Sequence, residues 1–295
     1  MGCSFDWVGA FTDRAFGGNG CVVVHGADRL SLDDRMALVR ETSLSECAFV
    51  VASDKADFGA RYYLAEREIL MAGHPTIATV ASLLSRGLVA LDKGRAAFTL
   101  EVGAGVLPIE VTQNGDGAPE ITMTQPRPQF GARHDAGEVA ALFGLAAGDV
   151  LGTPRTVSTG TPFCITLLKD KKALRRAVLD AERLAKYAAG QNGDFFEPFL
   201  VTLGGETPQG DVFSRLLLPP PMPEEDPFTG SATGCMAACL WAEGRLDSPR
   251  FVAEQGHWLG RPGRAQVTVL GPRDDISAVQ VAGTGHVLMR GELFL

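Results

Sequence analysis

Two short stretches carry the residues best suited to chemistry. Glu224–Gly234 reads EEDPFTGSATG, three acids and a proline followed by hydroxyls and tiny residues, with the apolar CMAACLW close behind. Met71–Leu84 reads MAGHPTIATVASLL. Each reads as the opening of a small-residue helix with a glycine–polar pair at its mouth, Gly73–His74 and Gly230–Ser231. The first N–H groups of a helix have no intrahelical partner and sit at the positive end of its dipole. Glycine lets a ligand come close to the main chain. Such a mouth can grip an anion, and a carboxylate is the simplest one. Close helix packing explains either stretch taken alone. The pair, repeated in register, favours a binding site.

Four side chains near these mouths bear on proton transfer. His74 can donate a hydrogen bond or shuttle a proton, and it can equally cap the helix locally. Asp226 can accept from a substrate amine or orient His74, or simply cap the turn before Pro227. Ser231 suits an N-cap and a substrate contact alike. Glu46 is the sharpest, because it stands at the entry of the apolar run CAFVV. A carboxylate entering a buried strand is costly unless paired or functional. Desolvation there would favour a general acid/base working near neutral pH. An exposed loop carboxylate is the plainer reading of Glu46 by itself. Glu197 holds the corresponding place in the second half, with Pro198 after it and nothing further in its support.

The elements that must position these groups follow from local patterns. Phe5–Phe11 reads as a strand, FGGNG as a turn and CVVVH as a strand. SLDDRMALVRET is a helix opened by Ser31, with acids in its first turn. CAFVVAS and ARYYLAE are strands. The helix AGHPTIATVASLLSRG has proline near its start and Gly87 after its end. Strands fill Ala97–Thr124, and QPRPQFGARHD reads as a linker. The second half then retells the first. TPFCITLLKD is a turn into a strand, KKALRRAVLDAERLAKYA a helix, and FFEPFLVTL and DVFSRLLLPP are strands. The second mouth and its helix follow, and strands return through Phe251–Leu270 and Ile276–Leu295. Arg61 precedes Gly73–His74 by twelve residues, and Arg215 precedes Gly230–Ser231 by fifteen. SECAFVV matches FEPFLVT (Phe196–Thr202). This two-fold repeat implies two similar α+β domains with a cleft between them.

The chain has 295 residues, which suits two medium cores. A net charge of −8 and the lack of a basic stripe argue against nucleic acid as a partner. Cys3, Cys21, Cys47, Cys164, Cys235 and Cys239 form no CxxC pair, so neither a zinc site nor a disulfide scaffold is expected. A reduced, cytoplasmic protein is the expectation. The N-terminus lacks the apolar core of a signal peptide. Its Met-Gly-Cys-Ser start lacks the hydroxyl residue that myristoylation wants at position six, where Asp6 stands. No run reaches the apolar length of a membrane span.

FTDRAFGGNG, ETSLSECAFV, AGHPTIAT, EEDPFTGSATG and EQGHWLGRPG (Glu254–Gly263) together resemble the signature segments of the PhzF-like phenazine-biosynthesis isomerases. That family belongs to the diaminopimelate epimerase superfamily. The resemblance runs from the N-terminus to RGEL at Arg290–Leu293. It implies an α+β fold of two pseudo-symmetric domains, each a β-barrel-like sheet wrapped around a central helix. The expected domains are 1–125, joined by the C-terminal strand 277–295, and 126–276. The resemblance also implies proton transfer between carbons with no metal and no cofactor, in the cleft between the domains. In the phenazine enzyme one glutamate moves the proton, and the matching residue is Glu46. The matching supporting positions are Gly73, His74, Asp226, Gly230 and Ser231. A homodimer acting on a small carboxylated, amino-bearing molecule, away from membranes, is the implied form.

Racemase and epimerase relatives instead place a cysteine just before each helix-mouth glycine. Ala72 and Thr229 stand there in this chain, and neither can act as a thiol base. Cys235 and Cys239 lie further along their helix at a spacing that suits core packing. The chain departs from the family pattern at Gly18–Gly20, Tyr62–Glu68 and the proline-rich LLLPPPMPEED, which puts the substrate in question rather than the fold. Isomerisation is the first functional expectation. A lyase that expels water or ammonia after the same proton abstraction is the second. A non-catalytic small-molecule binder is the alternative of another class, disfavoured by the presence of Glu46, His74, Asp226 and Ser231 together.

Overall fold

The computed structural model describes residues 2–191, 193, 195 and 197–294. The strands in chain order are β1 (Cys3–Ala10), β2 (Asn19–Val24), β3 (Cys47–Val51), β4 (Phe58–Tyr63), β5 (Glu68–Ile69), β6 (Arg95–Val102), β7 (Gly105–Thr112) and β8 (Glu120–Gln125). They continue with β9 (Gln129–Arg133), β10 (Arg155–Ser158), β11 (Pro162–Leu167), β12 (Pro198–Leu203), β13 (Val212–Leu217), β14 (Glu225–Asp226), β15 (Arg250–Gln255), β16 (Gly263–Leu270) and β17 (Ala278–Leu293). The helices are α1 (Leu32–Thr42), α2 (Gly73–Ser85), α3 (Ala136–Ala141), α4 (Lys171–Arg176), α5 (Ala181–Gly190) and α6 (Gly230–Ala242). Two compact units divide the chain: residues 1–124, 260–265 and 281–295, and residues 125–259 and 266–280. The boundary expected at 277 falls at 281, inside the long strand β17, and the short segment 260–265 joins the first unit as well.

The first unit is a closed barrel of eight strands. β17 pairs antiparallel with β1, β1 antiparallel with β2, β2 parallel with β3 and β3 antiparallel with β4. β4 then pairs parallel with β6, β6 antiparallel with β7, β7 antiparallel with β8, and β8 meets β17 to close the ring. Closure leaves no open edge on these strands. α2 packs against β1, β2 and β3, and every residue from Gly73 to Leu83 is buried. A helix that is buried and largely apolar on all faces belongs inside a core rather than on a surface. α1 covers the outside of the sheet, packing Met36, Leu38 and Val39 against Val22, Val24, Phe49 and Tyr63.

The second unit repeats the order and sense of these pairings. β10–β11 is antiparallel, β11–β12 parallel, β12–β13 antiparallel and β13–β15 parallel, as in β1–β2, β2–β3, β3–β4 and β4–β6. The short strand β14 lies on β13 as β5 lies on β4. α6 takes the place of α2 and is buried from Gly230 to Leu240. Register aligns the halves residue by residue: Arg61 with Arg215, Glu68 with Glu225, Glu101 with Glu254 and Glu46 with Glu197. The matched segment of the second half begins at Phe196, which lies outside the described residues.

Two sequence expectations need correction. QPRPQFGARHD is not a plain linker, because Gln129–Arg133 forms β9 and pairs with β10. Its prolines stop short of the strand, and its alternating side chains leave one face half-buried, with the Arg155 guanidinium 4.7 Å from the Phe130 ring. The run KKALRRAVLDAERLAKYA is two helices. Ala177 turns to an extended conformation, and the Asp180 side chain accepts from the Arg183 N–H to start α5 anew. Among the described residues no helix is long and apolar enough to cross a membrane.

The far end of α2 is anchored by a buried carboxylate. Asp6 on β1 is fully buried and accepts from Arg86 Nε (2.8 Å), Arg86 Nη2 (2.9 Å), Ser82 Oγ (2.6 Å) and Arg290 Nε (3.1 Å). Since the Ser82 proton goes to Asp6, the His25 Nε2–H donates to Ser82 Oγ at 2.7 Å. Burial alone would raise the Asp6 pKa, but the hydrogen bonds from Arg86 and Ser82 and the charges of Arg86 and Arg290 outweigh it and lower it. A carboxyl depressed in the folded state stabilises the fold above its unfolded pKa, and that contribution is lost as pH falls through the folded value. Asp6→Asn leaves two guanidinium groups facing a neutral amide. It should cost about 3–5 kcal/mol by urea denaturation at pH 7, the range for breaking a buried ion pair. The gap between the variant and the parent should begin to narrow as pH drops below about 4 and go on narrowing toward the lowered folded value. An equal gap at pH 7 and pH 3 would rule out the charge as its cause.

Candidate active site

The mouth of α2 in the first unit is built by three segments. The Ser31–Asp34 capping box starts α1, and Ser43 in a left-handed conformation ends it. The chain then has only Leu44, Ser45 and Glu46 before β3, so Glu46 stands directly ahead of the fully buried Cys47. β2 lies parallel to β3, with Val22 opposite Cys47, and begins at Asn19. α2 contributes Gly73 and His74. Its N-cap position is Ala72, which makes no side-chain cap. Thr76 Oγ1 donates to the Ala72 carbonyl at 2.6 Å, and the Tyr62 hydroxyl, 2.9 Å from Thr76 Oγ1, donates to that oxygen in turn.

These segments bring Glu46 to His74. Glu46 Oε2 lies 3.7 Å from His74 Nδ1, too long for a hydrogen bond but in close approach, and the two side chains are 21% and 4% exposed. Glu46 is therefore not a solvated loop carboxylate. Asn19 Nδ2 lies 3.1 Å from the same His74 Nδ1. An amide nitrogen has only hydrogens to offer, so Nδ1 accepts and the neutral ring carries its proton on Nε2. Burial holds the His74 pKa down to about 3. The imidazole is thus a neutral hydrogen-bond donor at neutral pH rather than a cationic acid, and its Nε2 is buried without a partner of its own.

The mouth of α6 in the second unit is built differently. Asp226 on β14 is buried, and Thr229 Oγ1 donates to its Oδ2 at 2.6 Å. That hydroxyl is turned toward Asp226 and gives no side-chain cap to α6. Gln255 at the end of β15 spans the turn. Its Nε2 donates to the Asp226 carbonyl (2.8 Å) and Thr229 Oγ1 (3.2 Å), while its Oε1 accepts from the Thr229 N–H (3.0 Å). At the first residue of α6, Gln125 Nε2 donates to the Gly230 carbonyl at 3.0 Å, and Gln125 Oε1 accepts from Thr159 Oγ1 at 2.6 Å. Gly234 makes room for this bridge, since a Cβ there would come within 1.8 Å of Gln125 Oε1. Ser231 is buried at the same mouth.

The six candidate residues thus fall into two groups. Glu46, Gly73 and His74 meet in the first unit, and Asp226, Gly230 and Ser231 share one short stretch of the second. The capping reading of Asp226 holds through Thr229. Glu197 is exposed, unlike its counterpart Glu46. Sequence reasoning passed over Asn19, Gln125 and Gln255, which hold the mouths in shape. Asn19 lies inside the quoted FGGNG and Gln255 inside EQGHWLGRPG, but a neutral amide carries no signal until its partner is known.

All six cysteines are free and buried. Burial pushes the Cys235 thiol up to about 11 and the Cys239 thiol up to about 12, so neither is a thiolate at neutral pH. Among the described residues no group of three or more His, Cys, Asp and Glu side chains converges to hold a metal ion.

Comparison with known proteins agrees with this architecture. Residues 8–291 match the family model described as phenazine biosynthesis-like protein. An uncharacterized isomerase of Bacillus subtilis, YfhB, is 29% identical over 88% of this chain and 87% of its own. The crystal structure of a Bacillus anthracis phenazine biosynthesis protein of the PhzF family superposes with a TM-score of 0.85 at 26% identity, covering 100% of both chains. That of a predicted epimerase of Pseudomonas aeruginosa gives 0.83 at 30% identity, covering 99% of both.

The burial of His74 has a measurable consequence. Its folded pKa of about 3 lies below the ordinary 6.5, so on acidification the unfolded chain takes up a proton first. The stability owed to the neutral ring is complete above pH 6.5 and declines as pH falls from there toward 3. An NMR titration of the histidines should show the His74 ring neutral down to pH 4. A midpoint near 6.5 would mean that water reaches the ring.

Proposed function

The chain belongs to the phenazine biosynthesis-like protein family and is an isomerase; from that premise we propose that Glu46 is the general acid/base that moves a proton between carbons of a small carboxylated, amino-bearing substrate. The observation that carries this reading is the approach of the Glu46 carboxylate to His74 at the mouth of a helix buried from Gly73 to Leu83. A base must come within hydrogen-bonding reach of the carbon-bound proton, directly or through one water. Glu46 is the group positioned for this, since the neutral His74 ring has its Nδ1 engaged by Asn19. His74 Nε2–H is left to donate to the substrate, where it would stabilise charge that develops as the proton leaves. In this reading the proton leaves carbon for a Glu46 oxygen, the C–H electron pair is delocalised onto the substrate, and Glu46 returns the proton at a second carbon.

The two uncapped helix mouths suit the carboxylate. Gly73–His74 and Gly230–Ser231 lie at the positive ends of buried helices, and neither N-cap residue, Ala72 or Thr229, caps its helix with its own side chain. Asp226 is proposed to accept from the substrate amine, with its orientation fixed by Thr229 and Gln255. A lyase would use the same first step and differ only in expelling a leaving group.

Incubating the protein in deuterated water with a panel of small amino and hydroxy carboxylic acids tests the chemistry. A product with solvent deuterium on carbon and an otherwise unchanged formula means isomerisation; loss of water or ammonia means elimination. Glu46→Gln should lower turnover at least ~10²-fold with ligand binding largely kept, the low end for loss of a general base. Equal turnover of the two forms would remove Glu46 from the role. Gly230→Val should weaken substrate binding while circular dichroism remains that of the parent. Unchanged affinity in a folded variant would take the second mouth out of the binding site.

A further inference from the structure

Segment 260–265 is surrounded in sequence by the second unit but clusters with the first. It grips one loop there. Arg261 Nε donates to the Gly18 carbonyl at 2.9 Å and Arg261 Nη2 to the Gly17 carbonyl at 3.2 Å. Beside them, the Gly18 N–H donates to the Pro262 carbonyl at 3.0 Å and the Arg264 N–H to the Phe11 carbonyl at 2.9 Å. The gripped loop runs straight into Asn19, the residue whose amide meets His74 Nδ1.

Left to itself this loop has little reason to stay in one shape. It is the glycine-rich run Phe16–Gly20, and glycine loses more conformational freedom on ordering than any other residue. Gly18 is left-handed, with φ of 56°, and a Cβ there would lie 2.0 Å from the Ala10 carbonyl oxygen, so no other residue can stiffen that position. Rigidity must come from outside the loop. A guanidinium can hold two successive carbonyls with a planar fork of N–H groups, which an ammonium cannot reproduce. Burial lowers the pKa of Arg261, a sign that its charge is held partly out of water where these carbonyls must compensate it.

We infer that Arg261 is a positioning residue for the reaction centre: by clamping the Gly17 and Gly18 carbonyls it fixes Asn19, and through Asn19 it fixes His74 as the Nε2–H tautomer facing Glu46. The chain of contacts is continuous, from the Arg261 guanidinium through two main-chain carbonyls to the Asn19 amide and the His74 ring, whose Nδ1 is 3.7 Å from Glu46. The catalytic meaning of the clamp rests on the Glu46–His74 pair being the reaction centre, but the tautomer it sets does not.

The test is ¹⁵N NMR of the full-length protein labelled at histidine, with the His74 signals assigned by their loss in His74→Gln. In the parent at pH 7 the ring should show a single neutral tautomer protonated at Nε2. In Arg261→Ala and in Asn19→Ala both nitrogens should move toward the averaged positions of an exchanging imidazole. Arg261→Lys should fall between parent and Ala, because an ammonium holds one carbonyl well and not two. The His25 and His134 signals should stay in place, which a general loosening of the fold would not allow. A folded Arg261→Ala that keeps the single His74 tautomer overturns the inference, as does Asn19→Ala doing so. If Arg261→Ala does not fold, Arg261→Lys decides alone, and an unmoved His74 signal there overturns it. Should Glu46→Gln leave turnover intact while these shifts appear, the clamp stands and only the assignment of the base falls.

Discussion

A helix buried on every side leaves main-chain groups without an intrahelical partner only at its ends. α2 and α6 are both in this position, with eleven consecutive residues each removed from solvent. Their small residues, Gly, Ala, Ser and Thr, let the surrounding strands come close, and strand pairing around them supplies the rest of the wall. Main-chain hydrogen bonds satisfy the middle of each helix, but the first turn cannot be satisfied that way. Elsewhere in this protein the problem is solved by side chains: Ser31, Asp135, Asp170 and Asp180 each cap a helix. The two central helices lack such a cap. The exception falls at the two places where the sequence collects histidine, hydroxyls and acids.

The repeat separates what the frame requires from what the site requires. Arg61 pairs with Glu101 at 2.8 Å, and Arg215 pairs with Glu225 at 2.7 Å, so each half ties its fourth strand position to an acid on a neighbouring strand. The i to i−4 hydroxyl bond into the helix mouth also recurs, Thr76 to Ala72 and Thr233 to Thr229. The halves also diverge at the mouths. Ile69 corresponds in the repeat to Asp226, Val102 to Gln255 and Ala72 to Thr229. One mouth carries a carboxylate beside a neutral imidazole, and the other carries a carboxylate that accepts from the Thr229 hydroxyl, while the Gln255 amide holds that hydroxyl and the Asp226 main-chain carbonyl. Two copies of one scaffold have been fitted with different chemistry.

What could be read from the sequence follows the same division. The central helices were legible because glycine, small residues and apolar residues run together without a polar face. Helix α1 was legible because Ser31 and Asp34 form a local motif that needs no tertiary information. The strand β9 was hidden, since its partner β10 lies more than twenty residues away and its own residues alternate only weakly. The break between α4 and α5 was masked by a helical composition, with one aspartate as its only mark. At the site, the charged and titratable groups stood out, and the amides did not. Asn19, Gln125 and Gln255 act through geometry alone, and geometry of that kind spans 55, 105 and 26 residues of sequence here.

Burial also sorts the groups that could take a proton from carbon. Enclosing a thiol disfavours its anion, and every cysteine in this chain is enclosed. Enclosing an imidazole disfavours its cation, which leaves His74 neutral and therefore useful as a donor but weak as an acid. A carboxylate at the rim of the core escapes both limits, because it keeps partial contact with water while one oxygen turns inward. Glu46 has that placement: its side chain is about one-fifth exposed, and its Oε2 is buried beside His74. Moving Glu46 two residues into β3 would enclose it like Ala48, which is fully buried. Placing it earlier, on the exposed end of α1, would remove it from His74. The three-residue passage from α1 to β3 therefore sets both the partial exposure of Glu46 and its approach to His74. It holds a carboxylate at the boundary between solvent and the mouth of α2.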